Sequence, residues 1–151
     1  MRTKGLRVGP VLVSLVALAG PLIVARRGAA DAPPGRYLVV SAGVYDTETK
    51  LTWEQPPTSL SYSWANAGAY CAQLTGGPWR LPSMQELQTL VDDSRTNPAI
   101  DPTFFPGAPA AFTWTASPYV PTPGNAWYVY FYSGFTASAL TSTPYHVRCV
   151  H

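Results

Sequence analysis

Cys71 and Cys149 are the two cysteines of this 151-residue chain. Two chemistries suit such a pair. In an oxidising compartment they form a disulfide. As free thiols, one becomes a nucleophile or redox centre, provided a base draws off its proton. The disulfide is the expected state, and it leaves no thiol for catalysis. The bridge would tie the first predicted helix to the last predicted strand. A cysteine-dependent oxidoreductase is the less favoured alternative.

Other side chains offer binding. Tyr128, Tyr130 and Tyr132 alternate along one run, so in a strand they share a face. Such a stripe is either an amphipathic contact surface or a layer packed beneath a loop. The five tryptophans could stack on sugar rings, but large aromatics more often build cores. Periodicity places Trp64, Trp79 and Trp127 in the core. Trp114 has loop-like neighbours and joins the three tyrosines as a candidate ligand contact.

Charged residues are read the same way. Arg80 and Arg148 sit in apolar sequence. Each could clamp a carboxylate or phosphate ligand. Internal pairing is favoured, with Glu54, Glu86 or Asp101 as partners, because an unpaired buried charge is costly. Asp92, Asp93, Asn97 and Asp101 form an oxygen-rich stretch of the kind calcium accepts. Short polar residues at a helix end and in turns explain it without metal, and that reading is preferred. No cofactor is expected, with calcium as the alternative. His146 and His151 are too few for a zinc site.

The elements that must position these groups follow a targeting segment. Arg2, Lys4 and Arg7 precede an apolar run from Val8 to Ala25, which Arg26-Arg27 closes. Residues 1–30 read as a signal peptide or N-terminal anchor. Residues 31–35 are a Pro-rich spacer, and 36–151 form one domain. The expected location is therefore the periplasm, the cell surface or the medium. Membrane contact is expected only through an uncleaved N-terminal segment. From Asp31 onward the chain has five basic and eight acidic residues, a net charge of −3. That excludes the basic patch that nucleic acid requires.

Arg36–Val40 reads as a first strand. Val44–Asp46 and Leu51–Trp53 flank a hairpin turn. Ser63 is a candidate cap for a helix that carries Trp64, Ala67, Cys71 and Leu74 on one face. Gly76 and Gly77 end it. Ser83 and Glu86 form a capping box for a second helix running to Val91. Trp79-Arg80-Leu81-Pro82, between the helices, is too apolar for a solvated connector. Residues 98–125 are expected to be mostly loop, with Phe112–Trp114 as a short strand inside it. Ala126–Tyr132 is the clearest strand, and Tyr145–Val150 closes the fold. The fold class is α+β: two helices on a small twisted antiparallel sheet, with long loops and one disulfide.

These residues, taken in order, resemble a known family. Val44-Tyr45-Asp46 before Leu51-Thr52-Trp53 is similar to its opening hairpin. Tyr62-Ser63-Trp64-Ala65 with Tyr70-Cys71 looks like its first helix. Trp79-Arg80-Leu81-Pro82-Ser83 with Glu86-Leu87 and Leu90-Val91-Asp92 resembles its central signature. Ile100-Asp101-Pro102, Phe105-Pro106, Trp114, Ala126-Trp127, Phe131, Gly134 and Val147-Arg148-Cys149-Val150 follow. The chain thereby resembles the Lcl C-terminal domain family across residues 36–151. The resemblance implies a C-type-lectin-like fold, related to that of formylglycine-generating enzymes, on an exported bacterial protein. Most members have no assigned activity, and one adhesin domain is associated with sulfated glycans. Two positions depart from the family pattern. Lys50 stands where Gly usually precedes Leu-Thr-Trp, and Trp114-Thr115-Ala116-Ser117 replaces Trp-Ser-Ser-Thr. The acidic domain also argues against a sulfated ligand.

The expected function is a non-catalytic, lectin-like binding module for a glycan or a cell-surface protein. The alternative is a structural envelope domain held by protein contacts.

Overall fold

A computed structural model describes residues 32–151. The expected signal peptide or anchor lies outside the described residues. Eight elements follow in order: β1 (Tyr37–Val40), β2 (Gly43–Asp46), β3 (Thr52–Trp53), α1 (Trp64–Gln73), α2 (Met84–Gln88), β4 (Phe112–Pro118), β5 (Asn125–Tyr130) and β6 (Thr136–Leu140). The class is α+β, with one difference from expectation. There are two antiparallel three-stranded sheets, β1-β2-β3 and β4-β5-β6, rather than one.

The physical reason lies in residues 145–151. They were expected to add a strand to a single sheet. Instead they run between the two sheets and share their backbone groups among several neighbours. Trp114 N donates to His146 O (3.0 Å) and His146 N to Phe112 O (2.9 Å), which holds the second sheet. Glu54 N donates to Cys149 O (2.9 Å) and Thr52 N to His151 O (2.8 Å), which holds the first. Arg80 and Val150 exchange bonds of 2.9 Å in both directions. The segment thus makes isolated bridges to Trp53, Tyr62, Arg80 and Thr113.

Both helices form where the caps predict, with local differences. Ser83 and Glu86 make the full capping box. Ser63 occupies the N-cap of α1 but makes no side-chain cap bond. The Trp64 N–H donates instead to Thr141 O at 2.9 Å. α2 stops at Gln88, short of Val91, because Thr89, Leu90 and Val91 switch to tighter i→i−3 bonds. Arg36 Nη2 takes the Thr89 carbonyl at 2.8 Å, and the same guanidinium pairs with buried Asp46 at 2.9 Å. One side chain thereby joins the first sheet to the end of α2. β4 is longer than expected: the prolines fall at or outside its ends, and its register shifts between Trp114 and Pro118.

Two cores result. One gathers Val44, Trp53, Leu87, Leu90, Ile100, Phe105, Val129 and Phe131. The other gathers Ala67, Cys71, Trp79, Leu81, Trp114, Tyr128, Val147 and Cys149. The Cys71–Cys149 disulfide forms inside the second and pins α1 to the segment between the sheets. Trp79, Leu81 and Pro82 are buried as expected of that connector, and only the Arg80 side chain reaches outward.

Lys50 has φ 65°, in the left-handed region. Replacing it with Gly is expected to stabilise the fold by roughly 1 kcal/mol, since a Cβ there is strained. Its Nζ bond to Thr47 O (2.6 Å) is exposed and offsets little. Urea denaturation measures the difference; a lower midpoint for Lys50→Gly would show that this bond outweighs the strain.

Candidate functional site

β5 divides the two cores by strand alternation. Val129 enters the first core, while Ala126 and Tyr128 enter the second. Tyr130 continues the second side, and neighbouring strands extend it into an aromatic layer. Phe112 of β4 lies opposite Tyr130 in register, with the rings stacked at 4.3 Å. Tyr132 stacks on Tyr130 at 5.7 Å. Phe135 meets Tyr130 edge-on at 5.2 Å. Tyr145 packs among Phe112, Trp114 and Tyr128 at 5.0, 4.7 and 5.1 Å. The layer grades from Tyr128, 9 % exposed, to Tyr132 and Phe135, 46 % and 48 % exposed. Its inner end is core and its outer end is open.

The three tyrosines are therefore brought together, but Trp114 is not an accessible partner for them. Its indole is fully buried, and Nε1 donates to Tyr62 O at 2.9 Å. The expectation of a ligand contact at Trp114 is corrected: β4 is a true strand, and α1 and Tyr145 cover that face. Trp127 moves the other way. It is only partly buried and meets Tyr119 edge-on at 4.9 Å. Trp64 is also partly buried. Phe112, Phe135 and Tyr145 were missed as members of the layer. The signal for them is cross-strand register, which one strand's alternation does not contain.

Helix α1 borders two depressions. The first, about 250 Å³, is lined by Tyr62, Asn66, Ala69, Tyr70 and Gln73. Asn66, Tyr70 and Gln73 share a helix face at i, i+4 and i+7 spacing, a pattern present in the sequence. The Tyr62 and Tyr70 rings stack at 5.1 Å and 25°. Tyr62 is fixed by backbone bonds exchanged with Tyr145 at 2.8 and 3.0 Å. The Tyr70 hydroxyl donates to the Glu54 carboxylate, which also accepts the Cys149 N–H at 3.0 Å. Burial first, then this bond to Glu54, holds the phenol well above its ordinary pKa. The second depression, about 460 Å³, lies between Trp64 and Trp79. Both indole N–H groups are turned inward, to Thr115 O (2.7 Å) and Thr75 O (3.0 Å). Its aromatic walls therefore present carbon alone.

The arginines are used internally. Arg80 makes a forked pair with Glu86 at 2.7 and 2.8 Å. Arg148 is buried and donates to the Glu54 backbone carbonyl at 2.8 Å, with Phe105 beneath the guanidinium at 5.0 Å. Burial pulls its pKa down to about 10, against the raising influence of Glu54. The acidic stretch is also occupied locally. Asp92 accepts from Arg95 Nε (2.7 Å) and Ser94 N (3.0 Å), and Asp101 from Thr103 N (2.8 Å). Among the described residues, no group of three or more His, Cys, Asp or Glu is arranged to hold a metal.

The Arg80 fork draws the Glu86 pKa down to about 2, helped by the Ser83 backbone N–H. A depressed carboxylate stabilises the fold above its unfolded value of 4.5, and that contribution disappears as pH falls through 2. Acid titration of the melting temperature is expected to fall through this window, and Glu86→Gln to flatten part of the fall. An unchanged profile in Glu86→Gln would contradict the assignment.

Comparison with known proteins supplies one match. No curated protein was found to match the chain. The model of the Lcl C-terminal domain family matches residues 42–151, from just before β2 through the segment that joins the sheets. The match takes in the hairpin, both helices, the disulfide and the aromatic layer, and the chain belongs to the Lcl C-terminal domain family.

Proposed function

We propose that this chain is an exported, non-catalytic binding module with a C-type-lectin-like arrangement, and that it meets a glycan or a cell-surface partner through the β4-β5-β6 face. The observation that carries the reading is the aromatic layer with an open outer end at Tyr132 and Phe135, which pack on half-buried Tyr130. Rigid aromatic side chains give contact area at low entropic cost. The non-catalytic part of the reading is supported by the engagement of both cysteines in a disulfide. The lectin-like part is supported by two small sheets, two helices and a long loop region around one bridge.

A glycan array and a pull-down with the purified chain test the proposal together. A retained ligand that is lost on Tyr130→Ser with Tyr132→Ser supports it. Binding that survives both substitutions moves the contact elsewhere and refutes the face assignment. A second reading, a structural envelope domain held by protein contacts, draws on a different observation. β1 is a sheet edge on which Leu38, Val39 and Val40 are 49 %, 66 % and 41 % exposed. Natural edges of this kind are usually charged or covered. An envelope partner lost on Val39→Lys, but kept on the tyrosine substitutions, would favour that reading.

A further inference from the structure

We infer that the depression on the outer face of α1 is a subsite for one uncharged pyranose ring, an assignment that rests on the glycan-binding reading above and adds a contact apart from the β4-β5-β6 face. Three features of its lining point to this ligand.

The first is chemistry. Asn66 and Gln73 each offer two donors and one acceptor in a single side chain, which suits vicinal hydroxyls. Both amides line the depression from exposed positions on the helix. Tyr62 and Tyr70 add aromatic surface for the C–H face of a sugar.

The second is charge. None of the five lining residues is an Asp, Glu, Lys, Arg or His. The Glu54 carboxylate is bonded to the Tyr70 hydroxyl, and the buried Arg148 guanidinium lies on the Glu54 backbone behind it. A sulfated or carboxylated ring would meet that negative charge and a domain of net charge −3. An uncharged ring meets no such opposition.

The third is rigidity. Tyr62 is fixed from below by the Tyr145 backbone and by the Trp114 indole, and Tyr70 by Glu54. A platform already held in place loses little freedom on binding. A volume of about 250 Å³ is small for an extended ligand and suits a single ring.

The test is an amide-resolved NMR titration of the purified chain with methyl glycosides of glucose, galactose and N-acetylglucosamine, with heparin as the polyanionic control. The expected result is fast-exchange shifts at Asn66, Tyr70 and Gln73 with at least one neutral glycoside. Asn66→Ala and Gln73→Ala are each expected to weaken that binding by roughly 3- to 10-fold, the loss of one or two hydrogen bonds. Both positions are on the helix surface, so spectral dispersion reports that the fold is intact. Shifts confined to Tyr130 and Tyr132 would overturn the subsite while leaving the sheet-face reading in place. No shift with any neutral glycoside, or shifts with heparin alone, would also overturn it. The glycan array and pull-down on the tyrosine variants separately report whether the broader reading stands.

Discussion

Reduction of the Cys71–Cys149 bridge is expected to lower unfolding stability by about 4 kcal/mol, the loop-entropy value for a closure of this length. The two cysteines are 78 residues apart, so the open chain regains much conformational freedom. The loss is not confined to the bridge. Cys149 N–H donates to the Glu54 carboxylate, and that carboxylate orients Tyr70. Melting with and without a reductant measures the effect, beside a Cys71→Ala, Cys149→Ala variant. The double variant is expected to match the reduced protein and to ignore the reductant. A reduced protein as stable as the oxidised one would mean that the backbone bonds of residues 145–151 hold the sheets together unaided.

Gly43→Ala is expected to cost about 3–5 kcal/mol, combining overpacking with backbone strain. A Cβ on Gly43 would lie 2.1 Å from the Trp53 carbonyl oxygen, and φ is +153°. Neither atom can move cheaply, because β2 and β3 are paired there and Trp53 is fully buried. Gly35→Ala is the matched control. Its φ is +84°, but no atom lies within 4 Å of the added carbon. It is expected to cost only the strain of a left-handed alanine, about 1 kcal/mol. Equal losses at the two sites, measured by chemical denaturation, would remove the steric argument.

Local signals were the legible ones. The Ser83–Glu86 capping box, the β2–β3 hairpin and the Ala67–Cys71 helix face depend on neighbours within a few residues, and all are present. The length of β4 was hidden because proline density suggested a loop. Prolines break a ladder only where an N–H is needed, and these lie at its margins. Trp114 and Trp127 exchanged their expected environments because burial is decided by what crosses a strand, here α1 and Tyr145 over one side. Arg80 was readable because its acceptor is a side chain six residues away. Arg148 was readable as far as its internal partner, Glu54, but the acceptor is the Glu54 main-chain carbonyl, an atom that carries no mark in the sequence. The aromatic layer was half readable: β5 showed its tyrosines, but Phe112, Phe135 and Tyr145 join only through pairing and turns.

The passage of residues 145–151 between the two sheets has a consequence for how the molecule is made. Every earlier element can form its local turns and ladders as it emerges, yet neither sheet has its inner edge capped until this stretch arrives. The two halves wait for one late strip of backbone, much as two panels wait for a zip. The fold therefore cannot close until residues 145–151 have been made. Oxidation of Cys71 necessarily follows as well, since its partner lies within that strip.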